Sequence, residues 1–270
     1  MKTPLDFSHR IDAHFNQVWS AYEEHLAGRG VLSARIRSLA IIGQCATMGE
    51  DEAVESQVRL AIDSAAAPPL EILEVILQAR IYVGKPRIDR ALKRFFAVCE
   101  ERNIAIEKLT GRIGPEGWLK ERNLEDERKH WLPSGEEFPQ RDALVEKYGW
   151  EGMSIGMMMQ PANFPSVITK CDAIDPSYAK PWIDVVHAGM YARPVLSQKD
   201  RTLIMIADVV SIGEFTQARF HMTNAIKLGI PPKEVLEICW LATLYAGMPK
   251  LYSAFMLKEV LDELGVGLDG

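Results

Sequence analysis

Apolar positions recur at helical spacing along most of the chain, and glycine, proline and small polar residues punctuate them. The clearest stretch begins at Ser197, which with Asp200 three residues on makes a capping-box-like start, Asp standing for the usual Glu. The apolar-rich helix that follows runs to about 212, and Gly213 stops it. A second helix fits 214–228, closed by Gly229. Pro231-Pro232 opens a third that runs to about 246 and is closed by Gly247. Pro249 precedes a fourth, ending near Gly265. Earlier in the chain the same punctuation predicts helices over 33–48, 50–64, 69–83 and about 87–102. No alternating pattern of useful length suggests a strand. The expected fold class is all-α.

The recurrence is a duplication. Residues 32–63 align without a gap on 196–227. After one extra residue in the first copy, 68–86 align on 231–249. There are 18 identities in these 51 positions, against about 3 expected from average composition. The shared marks include Arg37/Arg201, Gly49-Glu50/Gly213-Glu214, the Pro-Pro pairs and a Tyr-x-Gly-x-Pro ending at Tyr82 and Tyr245. A repeat of this length predicts two tandem helical domains, 1–105 and 166–270, with a connector over 106–165.

Each copy is preceded by aromatic residues four apart, Phe15/Trp19 and Tyr178/Trp182, a spacing that puts both rings on one helix face and predicts core packing. The connector differs in texture. Segment 111–117 is rich in Gly and Pro, 121–130 is a charge run read as a solvated helix, and 153–159 is a Met-rich apolar stretch of irregular pattern. That stretch is either packed over the core or a lid over a substrate.

Composition narrows the function classes. The net charge of −6 argues against a nucleic-acid-binding face. No apolar run approaches the roughly 18 residues of a membrane span, and residues 1–10 have no secretory apolar core. Four separated cysteines (Cys45, Cys99, Cys171, Cys239) form no CxxC, which suggests buried thiols and a cytoplasmic setting. No Cys/His spacing suggests a zinc site.

Chemistry concentrates in copy two. Glu214, Gln217 and His221 fall at i, i+3 and i+7, one helical stripe. Copy one has Glu50, Ala53 and Gln57 there, so the carboxylate is kept and the imidazole is not. A histidine exchanges protons near neutral pH and a glutamine does not, so the difference fits one working and one degenerate site. A satisfied structural histidine fits as well. Arg193 and Arg201 suit carboxylate binding or helix-end ion pairs. His187 reads as a surface residue, His130 as solvated, and His9, His14 and His25 have no partner pattern.

The ordered set Leu196-Ser197-x3-Arg201, Gly213-x5-Arg219-x-His221-x3-Ala225-x3-Gly229, Pro232-x-Glu234 and Tyr245-Ala246-Gly247-x-Pro249 resembles the carboxymuconolactone decarboxylase family, with Arg193-Pro194 ahead of it. The likeness is good over about 180–262 and weaker over about 15–100. It implies an all-α fold of the carboxymuconolactone decarboxylase/alkyl hydroperoxidase type that assembles as rings. A tandem chain would fill two ring positions, so a homotrimer is expected. One branch of that family reduces hydroperoxides with a CxxC pair. Glu214 and Gln217 stand at those two positions, and Thr202 replaces that branch's glutamate, so thiol peroxidase chemistry is not expected. The other branch decarboxylates a γ-carboxy lactone without a cofactor. Glu214 suits it, whereas Phe215, Thr216, Gln217 and Gly189 depart from its pattern. The resemblance therefore implies a cofactor-free, metal-free lyase or isomerase on a small carboxylated lactone or related enolisable acid. His221 would be general acid/base, with Glu214 beside it, and Arg193, Arg201, Gln217 and Tyr245 would bind substrate. A non-catalytic ring-forming scaffold is the alternative.

Overall fold

The structure is a computed structural model that describes residues 12–108, 133 and 135–269. Helix α1 (Ala13–Gly28) starts where the Asp12 carboxylate accepts from the Phe15 amide at 2.9 Å. In the first repeat α2 (Ala34–Met48), α3 (Asp51–Asp63), α4 (Pro69–Val83) and α5 (Lys85–Glu101) follow. Helices α6 (Arg141–Tyr148), α7 (Trp150–Met159) and α8 (Phe164–Ile174) come next. Then α9 (Pro176–Ile183) runs straight into a π-helical segment, Asp184–Tyr191. The second repeat supplies α10 (Gln198–Ile212), α11 (Phe215–Lys227), α12 (Pro232–Tyr245), a 3₁₀ turn (Met248–Leu251) and α13 (Tyr252–Leu264). Among the described residues there is no strand, and no helix is long and apolar enough to cross a membrane.

The caps act where the sequence places them. Ser33 and Ser197 accept from the amides of Ile36 and Asp200 at 3.2 and 3.1 Å. Gly49 and Gly213 close α2 and α10 in the left-handed region (φ 81° and 79°), which favours glycine.

The two repeats share one core. Helices α2 and α10 pack along each other, and the fully buried Leu39 and Ile42 join one apolar cluster with Leu203, Ile206 and Val210. Each such side chain contributes about 1.5–3 kcal/mol by leaving water. The hydroxyls of Thr47 and Ser211, equivalent residues in the duplication, lie 2.7 Å apart. A pseudo-twofold axis therefore passes between them. The contact is close enough that a Cβ on Gly43 would come within 2.6 Å of Asp208 Oδ1.

The Met-rich stretch is helical rather than irregular, because α7 is enclosed on all sides. Ile155, Met158 and Met159 pack against Val186, Met190 and Met205. Gln198 Nε2 donates to the Met158 carbonyl at 2.7 Å. Asn224 fixes the next turn, its Nδ2 donating to Asn163 Oδ1 at 2.8 Å and its Oδ1 accepting from the Ala162 amide at 2.8 Å. The segment thus packs over the core. Segments 111–117 and 121–130, with His9 and His130, lie outside the described residues. The leading aromatics do not all pack inward as their spacing suggested. Phe15 and Tyr178 are exposed, and Trp182 stacks on Phe164 with ring centroids 6.0 Å apart.

Candidate functional site

His221 lies two turns into α11 on its buried face, 1% exposed. Opposite it stands Tyr82, from the last turn of α4 in the other repeat. The Tyr82 hydroxyl is 3.3 Å from His221 Nε2, and the rings meet edge to face with centroids 5.8 Å apart. The same hydroxyl is 3.1 Å from that of Tyr191, at the end of the π-helical segment. His221 Nδ1 has no hydrogen-bond partner among the described residues. These groups line a cavity of about 410 Å³, with Gln160 and Asn163 completing its wall and the exposed Glu214 and Gln217 at its rim.

Burial sets the protonation states. It lowers the imidazole of His221 to about 4, so the ring is neutral near pH 7. It raises Tyr191 to about 12 and Tyr82 well above its ordinary value, Tyr82 also through the adjoining Tyr191. Both phenols keep their protons. The fully buried Asp208 has no partner for either carboxylate oxygen among the described residues, and its pKa is driven well up by burial. Burial thus disfavours its charged form, and no local pattern marks this residue in the sequence.

Arg201 and Arg193 form a buried ion cluster and do not line the His221 cavity. The fully buried Arg201 donates from Nη2 to Glu74 Oε1 at 2.5 Å and to the Arg193 carbonyl at 2.7 Å. Its Nη1 reaches Gln78 Oε1 at 3.1 Å. Arg193 Nε donates to both oxygens of Glu74, at 2.8 and 3.0 Å. Two guanidinium groups thus share one carboxylate and leave one net positive charge. Arg193 faces a second cavity of about 600 Å³.

Tyr245 is the repeat equivalent of Tyr82. It feels the charges of Glu23 and Arg37 and lines neither cavity. His221 of the second repeat is thus met by the tyrosine of the first, Tyr82. Sequence reasoning missed Tyr82 for that reason, although the Tyr-x-Gly-x-Pro endings carried the signal. It also placed His187 at the surface. His187 is fully buried among Phe164, Trp182 and Tyr191, neither ring nitrogen has a partner among the described residues, and burial lowers it to about 3.

The π-helical segment brings these rings together. A π-helix of eight residues is uncommon, and such segments concentrate at functional sites. A Cβ on Gly189 would stand 2.6 Å from the Asp184 carbonyl oxygen, so the segment needs glycine there. Cys171 lines the cavity, and the four cysteines are free thiols. Among the described residues no group of His, Cys, Asp and Glu could hold a metal ion.

The profile of the carboxymuconolactone decarboxylase family matches residues 13–95 and 176–258, together more than half of the chain. A 4-carboxymuconolactone decarboxylase from Acinetobacter baylyi (strain ATCC 33305 / BD413 / ADP1) is 31% identical over 78 residues. That match covers 28% of this chain and 58% of the relative.

Proposed function

The chain belongs to the carboxymuconolactone decarboxylase family, and from that premise we propose that it is a cofactor-free lyase (decarboxylase) or isomerase. Its substrate is a small carboxylated lactone or a related enolisable acid, and His221 is its general acid/base. The observation that carries this reading is a buried imidazole with a free Nδ1, facing a cavity and steadied by a tyrosine from the other repeat. Loss of CO2 beside an unsaturated lactone leaves its electron pair in the ring as a dienolate, which needs a proton at a distant carbon. The buried ring is neutral near pH 7. An anion bound beside it favours the imidazolium and raises its pKa. The loaded ring then delivers the proton. The Tyr82 hydroxyl holds Nε2 and fixes the plane of the ring. Glu214 and Gln217, at the rim, meet the substrate as it enters. Glu214 is too exposed to be the group that orients His221, and Tyr82 takes that role.

Arg193 contributes its net positive charge from the neighbouring cavity, and Arg201 acts by fixing Arg193 and Glu74. Three chains, six repeats in all, form the proposed assembly, in a cytoplasmic setting. One observation favours a non-catalytic ligand-binding scaffold instead: among the described residues no Arg or Lys lines the His221 cavity. Turnover of a panel of carboxylated lactones separates the two. His221→Gln should lose about 10²–10⁴-fold in rate, the usual contribution of a general acid, and Gln57→Ala should lose far less. Equal losses, or full activity in His221→Gln with the fold intact by circular dichroism, would favour the scaffold.

A further inference from the structure

Beside the His221 cavity lies the larger, second chamber, between α4 and the run from α9 into the π-helical segment. The two share Ile81, Tyr178, Trp182 and Val186 as a common wall. Their linings differ in charge. Among the described residues the His221 chamber has one carboxylate, Glu214, and no Arg or Lys. Among the described residues the second chamber has two guanidinium groups, Arg80 and Arg193, and no carboxylate, and the rest of its lining is mainly apolar.

Neither guanidinium is cancelled by its partner. Arg193 shares Glu74 with Arg201. Arg80 shares Asp89 with Lys85. Each trio carries one net positive charge. Glu74 and Arg80 are six residues apart on α4, about 9 Å along its axis at 1.5 Å per residue, and Leu77 presents an apolar surface between them. Both chambers fall within the roughly 300–1,000 Å³ typical of small-molecule sites.

We propose that the two chambers form one bipartite site for an amphipathic carboxylate. A retained carboxylate sits in the second chamber against Arg193 and Arg80. An apolar spacer lies along Ile81, Trp182 and Val186, which line both chambers, and the enolisable end reaches His221. This rests on the proposed lyase or isomerase reading and extends it. The substrate class is a carboxylate with an apolar body, longer than a compact lactone. Its reacting end meets the His221 imidazole, and its permanent charge is held elsewhere, against Arg193 and Arg80.

The test is equilibrium binding by calorimetry, with 4-phenylbutyrate and its neutral amide as probes. Wild-type protein should bind the acid about tenfold or more tightly than the amide, as expected for a charge-assisted contact. Arg80→Gln, at a half-exposed side chain, should reduce that preference. Val185 is exposed and lines only the second chamber, so Val185→Trp should fill the arm and remove acid binding with the fold kept. Equal binding of acid and amide overturns the proposal. So does unchanged acid binding by Val185→Trp, including the case in which that variant alters the oligomeric mass, which would mark the chamber as a subunit contact. Binding as expected with no turnover of any lactone would remove the enzymatic reading and leave the bipartite site. His221-dependent turnover without a preference for the acid would do the reverse.

Discussion

Glu74 and Glu237 occupy equivalent positions in the two repeats, both fully buried, yet their removal should have different consequences. Glu74 pairs with Arg201, which is 0% exposed, and with Arg193. Glu237 pairs with Arg29, whose side chain is 31% exposed. In Glu74→Gln the guanidinium of Arg201 loses its counter-charge where water cannot reach it, with Arg193 close enough to repel it. Breaking a buried pair in this way costs about 3–5 kcal/mol. In Glu237→Gln the freed Arg29 can hydrate, and the loss should be about 1.5–3 kcal/mol, that of a charged hydrogen bond. Against a typical total of about 5–15 kcal/mol, the first change is the larger fraction. The assay is urea unfolding followed by circular dichroism at pH 7, with fixed protein concentration so that assembly does not enter the comparison. Equal losses, or a larger loss for Glu237→Gln, would refute the reasoning that solvent access of the surviving cation sets the cost.

Other outcomes follow from the buried titrating groups and from assembly. His187 and His221 have folded-state values lowered to about 3 and about 4, so each gives stability that is present above about 6.5 and is lost as pH falls toward the folded value. Asp208, raised by burial, works in the opposite sense, its stability being present at low pH and lost as pH rises through its folded value. His187→Phe, which removes one of the two histidine contributions, should flatten the fall in stability between pH 6 and 5 by about 1.4 kcal/mol per pH unit; an unchanged slope in pH-dependent urea melts would show that His187 is not buried neutral. Asp208→Asn should gain on wild type in the same melts as pH rises above 4, and a relative loss would mean the carboxyl is ionised in the fold. Replacing all four cysteines by Ala or Ser should leave any turnover within about tenfold, since burial keeps Cys45 and Cys239 protonated with pKa near 12 and no reactive thiolate is set up; loss of turnover with a single change would contradict this. Light scattering should give the mass of three chains, and a monomer at micromolar concentration would exclude the ring assembly.

Helix positions were legible because their signals are local. Ser33, Ser197, Gly49, Gly213 and the Pro-Pro pairs act through neighbours three or four residues away. The family was legible because the duplication and the ordered motif lie along the sequence. The site was only half legible. His221, Glu214 and Gln217 share one helix stripe and line one cavity, but their partners come from elsewhere. Tyr82 arrives from the other repeat through the pseudo-twofold. Tyr191 and His187 are turned inward by a π-helical segment whose only local mark is Gly189, and nothing local reveals that Asp208 packs against Gly43. Arg193 and Arg201 were visible as cations, but their common partner Glu74 lies more than a hundred residues away, so the cluster that ties them down was not. The Met-rich stretch looked irregular because a helix buried all round has no polar face to give it a period.

The proposed role of His221 is tested most directly by running a carboxylated lactone that is turned over in D2O and locating the label in the product by NMR. A proton delivered by His221 should place a single deuterium at the carbon distant from the lost carboxyl group, on one face of the ring, and His221→Gln should form this product about 10²–10⁴-fold more slowly. Labelling at the same rate by His221→Gln, or deuterium on both faces of that carbon, would contradict the assignment of His221 as the proton donor.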